Sequence, residues 1–186
     1  MTEYVRCKAC GYIMEVTELK TVCPACGVPA SQFEAYKPRI VGKRKRILDI
    51  HLHPIILHVP QGFVVSLVLF SVLLAFLGQG EIRTAVLGAS RTLGVLLPLA
   101  VLAAFGAGIF DGKIRFRKVT TPTLIRKIIL GSLFFVFSLG GGALAIFSAL
   151  EGSALLPFAL LQVLGLAAGT MLGLLGSRLM ETGFPG

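Results

Sequence analysis

The chain has 186 residues, 55% of them hydrophobic and 15% charged, and its 18 Lys and Arg against 9 Asp and Glu give a formal charge of +9. A mean hydropathy of +0.85 excludes a disordered chain and argues against a soluble basic domain or a secreted disulfide scaffold. The charge is also unevenly placed, with −1 over residues 1–36, +5 over residues 37–49 and +5 over the remainder. This divides the chain into a polar head (1–36), a basic juxtamembrane linker (37–52) and an apolar body (53–180).

The head contains all four cysteines, as Cys7-Lys8-Ala9-Cys10 and Cys23-Pro24-Ala25-Cys26, with twelve residues between the pairs. No charged-then-apolar leader precedes them, so the head is expected to stay in the cytoplasm, where thiols are kept reduced. Paired C-x-x-C motifs in that setting read as ligands of one metal ion. Each pair forms a tight knuckle that aims two sulfurs at the ion, and Gly11 and Gly27 follow directly to allow the turn. A head of this size cannot fold on its apolar side chains alone, so the metal supplies much of its folding free energy.

Tyr4-Val5-Arg6-Cys7-Lys8-Ala9-Cys10-Gly11-Tyr12 and Cys23-Pro24-Ala25-Cys26-Gly27, with Phe33 further on, resemble the rubredoxin-like domain of rubrerythrins, including its short gap between knuckles. The resemblance implies a small rubredoxin-like or zinc-ribbon-like β head in which four thiolates hold one iron ion that cycles between ferrous and ferric states. It also implies an aromatic core of Tyr4, Tyr12 and Phe33 beside the site. Zinc is the alternative occupant of the same cage. The Glu and Glu-x-x-His ligands of a di-iron bundle are missing, so peroxide reduction is not carried over.

In the linker, Lys43, Arg44, Lys45 and Arg46 read as an electrostatic clamp on anionic lipid heads, not a nucleic-acid contact. All three histidines follow within His51-Leu52-His53-Pro54-Ile55-Ile56-Leu57-His58-Val59-Pro60. Pro54 suits the first position of a helix, with His53 just outside and His58 about 6 Å further along. On one helix His53 and His58 do not share a face, so a metal site made only of these three requires the segment to unwind.

Four apolar stretches follow, about 55–78, 92–110, 128–150 and 154–176, and none has a charged residue between its ends. Each is close to the ~20 residues that cross ~30 Å of hydrocarbon as a helix. The body is therefore an all-α domain of four transmembrane helices. Pro60 is expected to kink the first span, and Gly140-Gly141-Gly142 to bend the third or bring it close to a neighbour. Gln162, Gly165, Gly169, Gly173 and Gly176 line one face of the fourth span, for tight packing within the bundle or a homodimer.

Lys and Arg concentrate before span 1 and between spans 2 and 3, at Lys113, Arg115, Arg117, Lys118, Arg126 and Lys127, with Arg178 after span 4. The opposite ends carry only Arg83 and Arg91 against Glu81 and Glu151. The bias predicts a multi-pass protein of the inner membrane with both termini and the head in the cytoplasm. His-Pro-x-x-x-His-x-Pro opening a four-helix domain, with Gly108-Ile109-Phe110-Asp111 closing span 2, resembles a bacterial family of small membrane proteins. That family implies no function, but ionisable groups at the membrane boundary make His51, His53, His58 and Asp111 candidates for a haem b, quinone or second metal site, with Asp111 expected to orient His58.

No nucleophile–base constellation, phosphate loop or paired carboxylate site is visible, which points away from an enzyme with its own substrate. The expectation is an electron-transfer protein anchored in the bilayer, whose iron exchanges electrons with a cytoplasmic redox donor or acceptor protein. The alternative is a zinc-bearing head that binds protein partners on a membrane scaffold.

Overall fold

The computed structural model describes residues 3–37, 42–117 and 120–180, the side chains of 178–180 excepted. Residues 38–41 of the linker, Lys118 and the side chain of Arg178 lie outside this description. The chain divides into two compact units, one built on the residues up to Arg46 and the other spanning Ile47–Gly176.

The first unit holds a three-stranded antiparallel sheet of order β2-β1-β3, with β1 Tyr4–Cys7, β2 Ile13–Glu15 and β3 Phe33–Tyr36. The register sets Val5 against Met14 and Ala35, and Arg6 against Glu34. That last pair carries a 2.6 Å ion pair between half-exposed side chains, a cross-strand contact contributing about 0.5 kcal/mol. Lys45 places its ammonium 5.2 Å from the centre of the Tyr4 ring. The buried side chains of the head are Met14, Cys7 and Cys23, whereas Tyr12 is 43% exposed. The aromatic core expected to include Tyr12 is thus built differently, because Tyr12 lies outside the strands while Met14 faces inward from β2.

Part of the linker is helical: α1 covers Lys43–Asp49. His51 follows in the left-handed conformation, φ 54°, and α2 runs Leu52–Phe76. The helix starts earlier than Pro54, which becomes its third residue. This is tolerated because the first amides of a helix have no intrahelical acceptor. Pro60 stays inside an unbroken α2 and is buried.

Three further helices complete the second unit: α3 Glu81–Phe116, α4 Pro122–Phe147 and α5 Leu155–Met180. All four long helices, α2 to α5, are long and apolar enough to cross a membrane. The second of them begins eleven residues before the charge-free stretch, because Glu81, Arg83 and Arg91 belong to the helix and not to a loop. Arg83 donates from Nη1 to the carbonyls of Leu74 and Leu77, each at 2.8 Å, and its Nε lies 3.4 Å from Glu151 Oε1. Arg91 reaches the Ser148 carbonyl at 3.4 Å. These arginines satisfy the orphan carbonyls at the C-terminal ends of α2 and α4, where the helix dipole favours a cation. At the other end Thr121 accepts the Leu124 amide at 3.4 Å, with Pro122 in the first turn.

The buried positions of α2 are Pro60, Val64, Leu67, Ser71 and Leu74, and those of α3 include Ser90, Gly94, Leu97, Val101 and Ala104. Both series run 4, 3, 4, 3, the seam of helices packed side by side with a shallow left-handed twist. Leu67, Leu97, Phe134 and Phe158 centre the core, while Leu69, Phe76, Leu99, Val136, Phe147 and Leu156 point outward. An apolar exterior of this kind is matched to hydrocarbon and not to water.

Glycines receive the larger side chains of neighbouring helices. The Phe105 ring of α3 fills the space above Gly131 of α4, where a Cβ would come within 2.6 Å of it. Gln162 of α5 presses on Gly141, where a Cβ would collide with its amide nitrogen, and Gly142 faces the Gly94 carbonyl. α4 continues through Gly140–Gly142, so this run provides close packing within a helix that is not broken there. Gly165 and Gly169 of α5 are covered by the Phe134 ring, with a Cβ at Gly165 only 3.1 Å from it. A homodimer through this stripe would have to displace Phe134.

Gly131→Ala is expected to destabilise the bundle by about 1–3 kcal/mol through the Phe105 clash, read as a lowered thermal midpoint in detergent. Gly106→Ala, where a Cβ meets nothing within 4 Å, is expected to be neutral or to stabilise by up to ~1 kcal/mol. Equal effects of the two substitutions would contradict the packing described.

Candidate metal centre

The two C-x-x-C segments fold as near copies of one another. In the first, the Gly11 amide donates to the Cys7 carbonyl at 2.9 Å and the Cys7 amide to the Tyr12 carbonyl at 2.8 Å. In the second, Gly27 donates to Cys23 at 2.9 Å and Cys23 to Val28 at 2.8 Å. Gly11 and Gly27 take φ of 76° and 77°, a region that side chains with a Cβ resist. Strand β1 delivers Cys7 directly, and the sheet holds the first knuckle, while the Val22–Pro29 bridge closes the second.

This brings Cys7, Cys10, Cys23 and Cys26 together, with all four Sγ atoms within 4.8 Å of one another. Across the knuckles, Cys7 Sγ lies 3.8 Å from Cys26 Sγ, and Cys10 Sγ lies 3.8 Å from Cys23 Sγ. A tetrahedral ion with metal–sulfur bonds of about 2.3 Å spaces its sulfurs about 3.8 Å apart. The cage therefore fits one tetrahedral ion of thiolate affinity, and iron and zinc both meet that description. Each knuckle contributes one buried sulfur ligand and one nearer the surface: Cys7 and Cys23 are buried, Cys10 is intermediate and Cys26 is exposed.

The thiols are electrostatically unequal. The Tyr12 backbone amide draws Cys10 down, but burial and its three cysteine neighbours outweigh it and push the thiol up to about 12. Burial raises Cys23, yet the amides of Cys26 and Ala25 and the Cys26 and Cys10 thiols bring it down to about 7. Four sulfurs this close cannot all ionise without a cation among them, and amides directed at sulfur spread the charge once they do.

The histidines do not converge. His51 is exposed, with Nδ1 2.6 Å from the Asp49 carbonyl. His58 is also exposed, with Nδ1 2.6 Å from the Pro54 carbonyl. Only His53 turns into the bundle, where its ring lies on Gly108 of α3; a Cβ at Gly108 would be 2.9 Å from it. The expected Asp111–His58 pair is not formed. Asp111 is 3.8 Å from Arg115, one helical turn on, and its charge acts on His53 and Lys127. Among the described residues, the cysteine quartet is the only group of three or more such ligands close enough to hold an ion, and His51, His53, His58 and Asp111 are not part of it. Sequence reasoning missed Lys127 as a partner of this cluster; its position as the last charge before an apolar span was the available signal.

Metal entry must displace protons. In the metal-free head Cys10 holds its proton up to about 12, whereas Cys23 is protonated only below about 7. Metal affinity, measured by competition with a chelator between about pH 5.5 and 8.5, is expected to fall on acidification and to steepen by about one proton below about pH 7. A pH-independent affinity would exclude thiolate ligation.

Residues 6–34 match the family model of the rubrerythrin rubredoxin-like domain. Neither the curated proteins nor the solved structures yield a match to this chain. The head is thus a rubredoxin-like, metal-binding domain with a four-cysteine site, followed by four membrane-capable helices.

Proposed function

We propose that this chain is a membrane-anchored one-electron carrier, with one iron ion held by Cys7, Cys10, Cys23 and Cys26. The observation that carries this reading is four cysteine sulfurs within 4.8 Å of one another, two cross-knuckle pairs of them at 3.8 Å, within a rubredoxin-like domain. The iron would alternate between ferrous and ferric states in a cage that keeps its four ligands in both. Electrons would pass by close approach of a redox protein to the exposed Cys26 side, with no bond made or broken at the metal. The four helices would keep the carrier at the bilayer, beside an onward haem, quinone or respiratory acceptor in the membrane.

The basic residues Lys43 to Arg46, Lys113, Arg115, Arg117 and Arg126 support an inner-membrane orientation with both termini and the head in the cytoplasm. A second reading, a zinc-bearing head that recruits protein partners, draws support from the same donor set, which suits zinc equally well.

Anaerobic purification from native membranes separates the two readings. The carrier predicts a red protein with about one iron per chain that bleaches with dithionite and recolours in air, and loses its colour in Cys23→Ser. A colourless protein with stoichiometric zinc would overturn it. For orientation, a C-terminal fluorescent reporter that matures only in the cytoplasm is expected to be bright, and alkaline phosphatase at the same point inactive. The reverse pattern would invert the topology.

A further inference from the structure

The end of the bundle that carries the α3–α4 connection holds ionisable groups from three helices: His53 of α2, Asp111 of α3 and Lys127 of α4. Two of them are incompletely satisfied. Among the described residues the buried Nδ1 of His53 has no hydrogen-bond partner within bonding geometry, although the backbone of Ala104 faces the ring. Lys127 is half-buried, and among the described residues no carboxylate comes within ion-pair distance of its ammonium; Asp111, the acid that acts on it, has Arg115 as its 3.8 Å partner. Gly176 of α5 is also near, where a Cβ would lie 3.6 Å from Lys127 Nζ. A cation partly withdrawn from water without an anion in contact is costly, as is a buried ring nitrogen without a partner.

The chemistry that satisfies both groups is an anion with several acceptor oxygens. Lys127 donates to one oxygen, and His53, in the tautomer that carries its proton on Nδ1, donates to another. A metal cation is disfavoured, because Lys127 and Arg115 leave the cluster with one positive charge in excess of Asp111 even with His53 neutral. The level of the cluster identifies the anion's source. Asp111 is the first charge after the apolar run of α3, Lys127 is the last before that of α4, and His53 immediately precedes that of α2. Their common level is where hydrocarbon gives way to headgroups, the depth of lipid phosphates. A lipid amine would meet Lys113, Arg117 and Arg126 nearby in sequence, so a headgroup with no cation of its own is favoured.

We infer that His53 and Lys127 form a site for the phosphodiester head of an anionic phospholipid such as phosphatidylglycerol. The site is independent of which metal the head holds.

Arg126 supplies the comparison that a diffuse attraction cannot pass. It carries the same charge one residue away, and it is exposed where Lys127 is half-buried. The full chain in detergent would be titrated with phosphatidylglycerol, with binding read by native mass spectrometry and by the shift in thermal midpoint. Lys127→Gln is expected to weaken binding at least about tenfold, His53→Gln several-fold and Arg126→Gln less than about twofold. Lys127→Arg, which keeps the charge, is expected to retain most of the binding and remains informative if Lys127→Gln does not fold. Equal losses in Lys127→Gln and Arg126→Gln would overturn the site, as would equal binding of phosphatidylcholine. Displacement of the lipid by millimolar inorganic phosphate would overturn the lipid assignment and make this a site for soluble phosphate.

Discussion

A head of some 35 residues buries too little apolar surface to fold on that account, and membrane-capable helices with an apolar exterior would gain nothing in hydrocarbon by moving a leucine from outside to inside. Both halves of the chain therefore rest on something more specific than hydrophobic burial. In the head it is the mutual repulsion of four sulfurs within 4.8 Å, which only a cation turns into attraction. In the bundle it is shape: Phe105 over Gly131, Gln162 over Gly141 and Phe134 over Gly165. These contacts are short-ranged and exclude alternatives, since a single added Cβ removes the space they need.

The apolar exterior of these membrane-capable helices also limits where polar groups are allowed. Ser71, Ser90 and Ser138 are buried in the bundle, and each hydroxyl donates to a carbonyl of its own helix. Charged groups sit at the ends of the helices, where they fix helix termini at one face and gather into the His53–Asp111–Lys127 cluster at the other. Arg83 shows how far this goes, since it satisfies carbonyls of α2 while approaching Glu151 in the connection between α4 and α5. A net charge of +9 on so apolar a chain thus resolves into end-group chemistry of helices, with the head itself slightly acidic.

Much of this was legible before the structure. Cys7, Cys10, Cys23 and Cys26 stand out because metal-ligand spacing is a local property, and runs free of charge reveal membrane-capable helices because hydrocarbon tolerates few charges. What escaped was decided by neighbours distant in sequence. The true start of α3 at Glu81 was hidden because Arg83 finds acceptors on α2 and is therefore compatible with a helix. His53 and His58 look alike in sequence, but only His53 meets a glycine, Gly108, that lets its ring into the bundle. Tyr12 carried an aromatic's expectation of burial, yet β2 turns Met14 inward instead.

The unequal exposure of the four sulfurs bears on the choice between iron and zinc. Leaving Cys26 exposed brings no benefit to a purely structural ion, because exposed thiolates invite oxidation and exchange. For an electron carrier the same exposure is useful: a partner must approach the metal–thiolate unit closely, and Cys26 shortens the path. Burial of Cys7 and Cys23 meanwhile anchors the cage on β1 and the second knuckle, which would limit its change of geometry if a bound ion changed charge by one. A cage fixed on its inner side and open on its outer side suits repeated outer-sphere transfer, and this favours the iron reading over the zinc one for a donor set that otherwise accepts either.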